Sequence, residues 1–336
     1  MRVLVKGAGV AGLTVAHELA RRGAEILVAE RGPGIGAGAS WMAGGMLAPF
    51  CERESGEEAV IELGEHAAAW WEDALPGLVH FAGTLVLAPP RDASELRRFA
   101  SRTRGYDFVS AEEIAALEPD LAGRFRSGLF FGREAHLDPR QALLGLHAKL
   151  VSKGVNFAFG CADAAALGRF DRVVDCTGMA ALAHDAGLRG VRGEMLYLET
   201  GEVRLTRPVR LLHPRFPIYV VPRGNGRFMI GATMIENASD GPVTARSVME
   251  LLNAAYALHP AFGEARLVEA SSGVRPAYAD NLPRVTPKGG VVAVNGLYRH
   301  GFLMAPAMAG QAAEILVGNS WKGESFDEAH RQRKRA

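Results

Sequence analysis

The sequence is poor in cysteine and balanced in charge, and each feature excludes classes of protein. Its 336 residues include three cysteines, Cys51, Cys161 and Cys176, without any Cys-x-x-Cys spacing. Such scattered thiols argue against a disulfide framework and against a cysteine-built metal site, and they favour a cytoplasmic location. The 38 basic and 37 acidic residues nearly cancel, so there is no electrostatic reason to expect nucleic acid as a partner.

Long apolar runs and hydrolase motifs are also missing. No apolar stretch approaches the roughly 18 to 20 residues that cross a membrane, because glycines interrupt the apolar run near the N-terminus. The sequence has no His-Glu-x-x-His motif and no recognisable Ser-His-Asp pattern, so we predict neither a metal site nor a hydrolase. The hydrophobic fraction of 48% is nevertheless enough to fill a large buried core.

The first thirty residues have the pattern of a βαβ unit. Residues 2–5 predict a short buried strand, residues 13–22 predict a helix, and residues 25–30 predict the next strand. Gly23 follows the helix at the position where glycine commonly ends one. A complete unit of this kind within about thirty residues is typical of nucleotide-binding proteins.

Three glycines and one acid give this unit its chemistry. Gly7, Gly9 and Gly12 allow, in turn, a tight turn, close approach of the backbone to a pyrophosphate, and close packing of helix on strand. Glu30 ends the second strand, where a carboxylate accepts hydrogen bonds from ribose hydroxyls and repels a 2′-phosphate. The unit therefore predicts a site for FAD or NAD and argues against NADP.

The loop that follows distinguishes these two cofactors. Glycine and alanine fill more than half of residues 32–49, whereas an NAD-binding domain would normally continue with strands and helices. Trp41, Met42, Met46 and Leu47 make the loop too apolar for a flexible surface segment. Such a loop can lie against the flat isoalloxazine ring and offer N–H groups to its polar edge, which favours FAD.

The order of predicted elements indicates an α/β fold with two interleaved domains. Helices and strands mix up to about residue 190, strands then dominate, and a strand and a helix return near the end. We predict a Rossmann-type FAD-binding domain from residues 1–75, 138–190 and 285–336. The rest, residues 76–137 and 191–284, would form an antiparallel, β-rich substrate domain.

Polar residues in the second half are candidates for substrate binding. Arg275 precedes a proline, which keeps the backbone extended and can fix the direction of the guanidinium. A guanidinium binds a carboxylate through two hydrogen bonds, so this arginine would select acids, with Tyr219, Arg299 or His300 adding contacts. The alternatives are a salt-bridged surface arginine, a core tyrosine and a structural histidine, and the residues alone leave them open.

Seven motifs, in order along nearly the whole chain, resemble the D-amino-acid oxidase and glycine/sarcosine oxidase family of flavoproteins. Within it, the chain is most similar to the glycine oxidases of thiamine biosynthesis. The motifs are Gly-Ala-Gly-Val-Ala-Gly (7–12), Ala-Glu-Arg-Gly (29–32), Gly-Ala-Ser-Trp-Met-Ala-Gly-Gly-Met-Leu-Ala-Pro (38–49), Tyr-Val-Val-Pro-Arg (219–223), Ile-Gly-Ala-Thr-Met (230–234), Gly-Val-Arg-Pro (273–276) and Asn-Gly-Leu-Tyr-Arg-His-Gly-Phe-Leu-Met-Ala-Pro (295–306).

The resemblance implies a set of contacts in addition to the three glycines. The substrate would meet Arg275, Tyr219, Arg299 and Met234. FAD would meet residues that line its ADP half, its pyrophosphate and its ring, namely Val10, Ala11, Glu30, Arg31, Ala39, Ser40, Gly44, Gly45, Met46, Ala162, Gly178, Leu297, Tyr298, Arg299, His300, Gly301, Phe302 and Leu303.

The resemblance also implies an activity. We expect oxidation of glycine or a similar small amino acid to the imine, with O₂ reduced to H₂O₂, in a homotetramer that serves thiazole synthesis. FAD should be non-covalent, because relatives with covalent flavin attach it through a C-terminal cysteine and none follows Cys176. The alternatives are a D-amino-acid or sarcosine oxidase, a dehydrogenase that uses a quinone or carrier protein, and a nucleotide-binding protein without turnover.

Overall fold

The computed structural model describes residues 1–54, 56–161 and 167–318, so the predicted contact of Ala162 lies outside the described residues. The strands are β1 (Arg2–Lys6), β2 (Glu25–Glu30), β3 (Met46–Leu47), β4 (Thr84–Leu87), β5 (Asp107–Ser110), β6 (Ser127–Phe131), β7 (Ala135–His136), β8 (Asn156–Phe159), β9 (Arg172–Asp175), β10 (Arg189–Glu199), β11 (Val209–Leu211), β12 (Ile218–Pro222), β13 (Arg227–Gly231), β14 (Arg266–Ala277), β15 (Arg284–Lys288) and β16 (Val291–Asn295). The α-helices are α1 (Val10–Arg21), α2 (Pro49–Arg53), α3 (Ala59–Gly64), α4 (Ala67–Ala74), α5 (Ser94–Ala100), α6 (Ala111–Leu117), α7 (Pro139–Ser152), α8 (Ala245–Leu258) and α9 (Gly301–Val317).

The first sheet is parallel except at one edge and has the strand order β15-β16-β9-β1-β2-β8. β1 lies inside this sheet and pairs in parallel with β2 and β9, whereas β15 runs antiparallel to β16. Its inward side chains, among them Val3, Val5 and Val28, are completely buried against α1 and α9. The carboxyl ends of β1, β2 and β9 therefore meet at one edge, where open α/β sheets bind ligands.

The second sheet is mostly antiparallel and has the order β14-β10-β13-β12-β11-β4-β6-β5. Its strands come from two separate stretches of the chain, residues 84–131 and 189–277, and α8 packs over its core. The two sheets therefore interleave along the sequence, and the predicted fold class is confirmed. The predicted domain limits stay a prediction.

Several boundaries differ from those that the pattern predicted. Helix α1 begins at Val10 rather than Leu13, because the turn of the glycine motif leads directly into it. The sequence pattern of residues 57–75 predicts a single helix, whereas the structure has two short helices there, α3 and α4. The spacing of Ser110 and Glu113 predicts a capping box, and Asp138 before a proline predicts a helix cap. The structure confirms both, at the starts of α6 and α7.

Helix α9 contains a proline, and a distant tryptophan compensates for it. Pro306 has no N–H, so the carbonyl oxygen of Phe302, four residues earlier, lacks its usual helical donor. The indole N–H of Trp71 donates to that oxygen at 2.8 Å. Trp71 is completely buried, so α4 contributes a hydrogen bond as well as apolar surface to the packing of α9.

Trp71→Phe should lower the free energy of unfolding by about 1–3 kcal/mol beyond the smaller effect of the lost ring volume, because the buried Phe302 carbonyl loses its donor. Urea-induced unfolding measures the change. Trp70→Phe is the matched control, since its indole donates to Glu18 at 2.8 Å from a half-buried position. Equal losses of unfolding free energy in the two variants would contradict the view that Trp71 compensates for the missing N–H of Pro306.

Candidate functional site

A cavity of about 1180 Å³ lies between the carboxyl edge of the first sheet and the face of the second. This volume exceeds the roughly 300–1,000 Å³ of ordinary ligand pockets, so it has room for an extended ligand and a small molecule beside it. Apart from Gly12, the cavity is lined by all of the predicted cofactor and substrate residues that the structure describes. Residues predicted from opposite ends of the chain are therefore brought together.

The glycine motif forms one end of the cavity. Gly7 has a φ of +96° and donates its N–H to the carbonyl oxygen of Ala29 at 2.7 Å, which makes the tight turn after β1. Gly12 lies behind the cavity wall, where a Cβ would be 1.8 Å from the carbonyl oxygen of Gly7. Gly7 and Gly12 thus have the turn and packing roles that their positions in the motif predict, and the contact of Gly9 with a pyrophosphate stays a prediction.

The carboxylate of Glu30 connects the two turns at this end of the cavity. It accepts the N–H of Ala8 at 2.8 Å and the N–H of Gly32 at 2.7 Å, one on each oxygen. Sequence reasoning gave Glu30 a ribose contact alone, but the carboxylate also fixes the turns that follow β1 and β2. Both oxygens keep a lone pair for a ligand in the cavity.

Glu30→Gln should weaken FAD binding at least about tenfold, because an amide cannot accept on both sides and one backbone N–H loses its partner. Fluorescence titration of the apoprotein with FAD measures the dissociation constant. Glu25→Gln, at the exposed start of the same strand where Glu25 pairs with Arg2 at 3.1 Å, is the control and should leave the constant unchanged. A wild-type affinity for Glu30→Gln would contradict the assignment.

The start of α1 faces the cavity and can hold an anion. Val10 donates its N–H to the hydroxyl of Ser40 at 3.1 Å, which places Ser40 over the positive end of the helix. Ala11 also lines the cavity there, and Arg31 lines it after β2. This arrangement of free N–H groups and a hydroxyl suits a pyrophosphate.

The small-residue loop crosses from the first sheet to the second. Gly45 has a φ of +71°, and a Cβ there would lie 2.2 Å from the carbonyl oxygen of Leu137. At Gly44 a Cβ would lie 2.8 Å from the ring of Tyr219. Arg223 donates to the carbonyl oxygen of Gly44 at 2.7 Å and fixes the loop, a role that its place in the Tyr-Val-Val-Pro-Arg motif does not reveal.

The opposite wall comes from the end of the chain. Tyr298 has a φ of +49° and donates its N–H to the carbonyl oxygen of Pro276 at 2.9 Å, which joins the wall to β14. The first turn of α9 then points its N–H groups toward the cavity, so a second helix dipole faces it. Asn295 donates to the carbonyl oxygen of Gly178 at 3.0 Å and closes the floor.

Arg275 is a cation that has no carboxylate partner among the described residues. Its guanidinium crosses the backbone of Gly193, where a Cβ would lie 2.1 Å from Nη2, and its Nη1 donates to the carbonyl oxygen of Thr233 at 3.2 Å. Burial lowers the pKa of Arg275. Within residues 1–54, 56–161 and 167–318 no carboxylate lies within 4.0 Å of it, which argues against a salt-bridged surface arginine. A buried guanidinium of this kind is suited to an anionic ligand.

Three side chains surround this cation. Tyr219 is enclosed between Gly44 and Gly231, and burial raises its pKa although Arg275 and Arg299 oppose the shift. The sulfur of Met234 lies 3.5 Å from Nη1 of Arg299. Because Met234 is 54% exposed, it marks the mouth of the cavity.

Glu52 is the site residue that sequence reasoning missed. Its carboxylate accepts from Arg210 at 3.0 Å, and its second oxygen lies 2.9 Å from Arg299 and 3.5 Å from His300 Nδ1. Burial alone would raise the pKa of Glu52, but Arg299 and Arg210 lower it to about 2. The pKa of His300 is lowered to about 4 by burial, so the imidazole is neutral near pH 7. The sequence signal was an acid within the apolar segment after Pro49.

The next two observations concern metal binding and membrane-spanning helices. The described part of the chain contains no group of three or more His, Cys, Asp or Glu side chains placed to hold a metal. In the same part, none of the helices has the length and apolar character that spanning a membrane requires.

Comparison with known proteins decides the family. The family model described as "DAO: FAD dependent oxidoreductase" matches residues 2–315. The chain belongs to this family. The family's cofactor is FAD, and the cavity of this oxidoreductase fits it, since a glycine turn and two helix N-termini face a space of about 1180 Å³.

The relatives of this FAD-dependent oxidoreductase cover almost its whole length. It is 63% identical over 317 residues to a protein of Rhizobium etli provisionally named thiamine biosynthesis oxidoreductase ThiO, covering 94% of this chain and 97% of that protein. A glycine oxidase of Pseudomonas aeruginosa is 28% identical, covering 94% and 95%. The crystal structure of glycine oxidase from Geobacillus kaustophilus superposes with a TM-score of 0.80 at 25% identity, covering 96% of each chain.

Proposed function

We propose that this FAD-dependent oxidoreductase is a glycine oxidase that converts glycine, or a similar small amino acid, to the imine while O₂ is reduced to H₂O₂. The observation that carries the proposal is the buried guanidinium of Arg275, which has no carboxylate partner among the described residues and lines the same cavity as the glycine motif. The names of the Rhizobium etli and Pseudomonas aeruginosa relatives support the same activity.

The residues would act by binding and orientation. Arg275 would hold the substrate carboxylate through two hydrogen bonds, and Tyr219 would add a hydroxyl contact beside it. The α-carbon would then face the ring of FAD, which accepts the hydride when it is bound. Met234 at the mouth and the packed loop of Gly44 and Gly45 would limit the access of water.

The cofactor contacts belong to the same proposal. The glycine turn after β1 and the end of β2 would hold the ADP half of FAD. The small-residue loop would hold the pyrophosphate and the ring, and the motif of residues 295–306 would line the ring. The residues are Gly7, Gly9, Val10, Ala11, Glu30, Arg31, Ala39, Ser40, Gly44, Gly45, Met46, Gly178, Leu297, Tyr298, Arg299, His300, Gly301, Phe302 and Leu303.

The test is a purified, yellow protein assayed for peroxide with glycine, sarcosine and D-alanine. We expect the highest kcat/KM for glycine and release of free FAD on denaturation, because the attachment is non-covalent. A colourless protein that FAD cannot reconstitute would overturn the proposal. Reduction of FAD by substrate without oxygen consumption would instead indicate a dehydrogenase.

The place of the reaction in thiamine biosynthesis is part of the proposal and is supported by the name of the Rhizobium etli relative. A deletion strain should require thiamine, and a thiazole precursor should relieve the requirement. The predicted homotetramer can be measured by analytical ultracentrifugation, and cell fractionation tests the predicted cytoplasmic location.

A further inference from the structure

Two arginines at the substrate end of the cavity share one buried carboxylate. Oxygen Oε1 of Glu52 accepts from Arg210 at 3.0 Å, and Oε2 lies 2.9 Å from Nη2 of Arg299. The side chains are 9%, 10% and 16% exposed, in that order, and all three line the cavity. An anion held between two cations away from water stays ionised, so Glu52 is a permanent negative charge in the pocket wall.

Arg275 lacks such a partner. Of these three nearly buried arginines, Arg275 alone has no carboxylate within 4.0 Å in the described part of the chain. Arg299 already has a carboxylate partner in Glu52, which it shares with Arg210, and its Nη1 still reaches the sulfur of Met234 at the mouth. Among the residues that the structure describes, the guanidinium of Arg275 is therefore open to a ligand, whereas that of Arg299 already has a partner within the protein.

We propose that Glu52 is a specificity-determining residue that restricts this site to substrates with a single carboxylate, an inference that rests on the proposed amino-acid oxidation. A first carboxylate binds the open guanidinium of Arg275. A second carboxylate on the same molecule meets the fixed charge of Glu52, which repels it and also holds the guanidinium of Arg299 that it would need. A built-in repulsive group of this kind is a common way to reject a competing ligand.

Substrates and inhibitors with one or two carboxylates separate this role from a purely structural one. Glu52→Gln keeps the shape of the side chain but removes its charge, which leaves Arg299 open to a ligand. The kcat/KM ratio of iminodiacetate, which is glycine with a carboxymethyl group on nitrogen, to glycine should rise at least about tenfold. Glu52→Asp keeps the charge and should keep the wild-type preference.

Binding to the oxidised holoenzyme gives a readout that does not depend on turnover. Calorimetric titration with acetate and malonate should show no preference of the wild-type protein for malonate. In Glu52→Gln the affinity for malonate relative to acetate should rise at least about tenfold. Wild-type protein that already prefers malonate, or folded Glu52→Gln protein with unchanged ratios, would overturn the inference.

Two double variants provide the matched controls. Glu52→Gln with Arg210→Gln removes one charge of each sign and leaves Arg299 open to a ligand. This double variant should therefore keep the increased preference for dicarboxylates even where the single variant folds poorly. Glu52→Gln with Arg299→Gln should lose the gain, and a gain retained there would overturn the inference. If wild-type protein oxidises no amino acid, the proposed function fails, whereas the malonate and acetate titrations still decide the role of Glu52.

Discussion

Arg275→Ala should lower kcat/KM for glycine by about 30- to 4,000-fold, which corresponds to about 2–5 kcal/mol for a buried charge pair that loses one partner. The size follows from the geometry, since the guanidinium crosses Gly193 and has no carboxylate of its own in the described part of the chain. FAD content and the midpoint of thermal unfolding should not fall, because the variant removes an uncompensated cation from the interior. Steady-state peroxide assays at several glycine concentrations measure the effect.

Two controls define this result. Arg275→Lys keeps a positive charge without the planar pair of donors, so we expect an intermediate kcat/KM. Arg227→Ala removes an exposed arginine that pairs with Glu199 at 3.2 Å on the second sheet, and it should leave kcat/KM unchanged. A wild-type apparent affinity for glycine in Arg275→Ala would remove Arg275 from the site.

Gly12→Ala should prevent stable FAD binding and destabilise the chain by at least about 1–3 kcal/mol. The added Cβ would lie 1.8 Å from the carbonyl oxygen of Gly7, so α1 must move away from the turn that follows β1. This movement would also displace the helix N-terminus from the cavity. Absorbance near the flavin bands after purification and urea-induced unfolding measure the two effects.

The matched control is Gly310→Ala in the middle of α9, where a Cβ would meet no heavy atom within 4 Å. We expect this variant to keep its FAD and to gain up to about 1 kcal/mol of stability, since alanine is the better helix former. If Gly12→Ala retains FAD as well as Gly310→Ala does, close packing of helix and strand is not what Gly12 provides.

The parts of the fold that local chemistry determines could be predicted from the sequence. The βαβ unit, the capping box at Ser110 and the cap at Asp138 each depend on residues within a few positions of one another. Short strands such as β5, β6 and β7 were not predicted, because their apolar patterns are too brief to be recognised alone. β15 was missed for the same reason, although its partner β16 follows after a two-residue turn. The sequence pattern places the start of the last helix at Pro306, because proline usually occupies a first turn. Helix α9 instead begins at Gly301, and Trp71 compensates for Pro306 inside it.

The candidate site likewise has residues that the local sequence reveals and residues that only the fold brings together. The glycines and Arg275 carry their chemistry in their residue type and immediate neighbours, so motifs were enough to find them. Glu52 and Arg210 are 158 residues apart, and nothing in either local sequence indicates that they form an ion pair. Only the tertiary structure shows that Arg299 has a carboxylate partner while Arg275 is open to a ligand.

The strand order of the first sheet also constrains when the cavity can exist during protein synthesis. β1 and β2 leave the ribosome first, but β9 must be made before β1 has both neighbours, and β16 must be made before β9 has its second. The wall formed by residues 297–303 follows later still. A nascent chain that ends before β16 therefore has its glycine turn but not a closed cavity. The cavity that would hold the flavin is therefore completed only late in the synthesis of the described residues, after β16 and the wall that follows it.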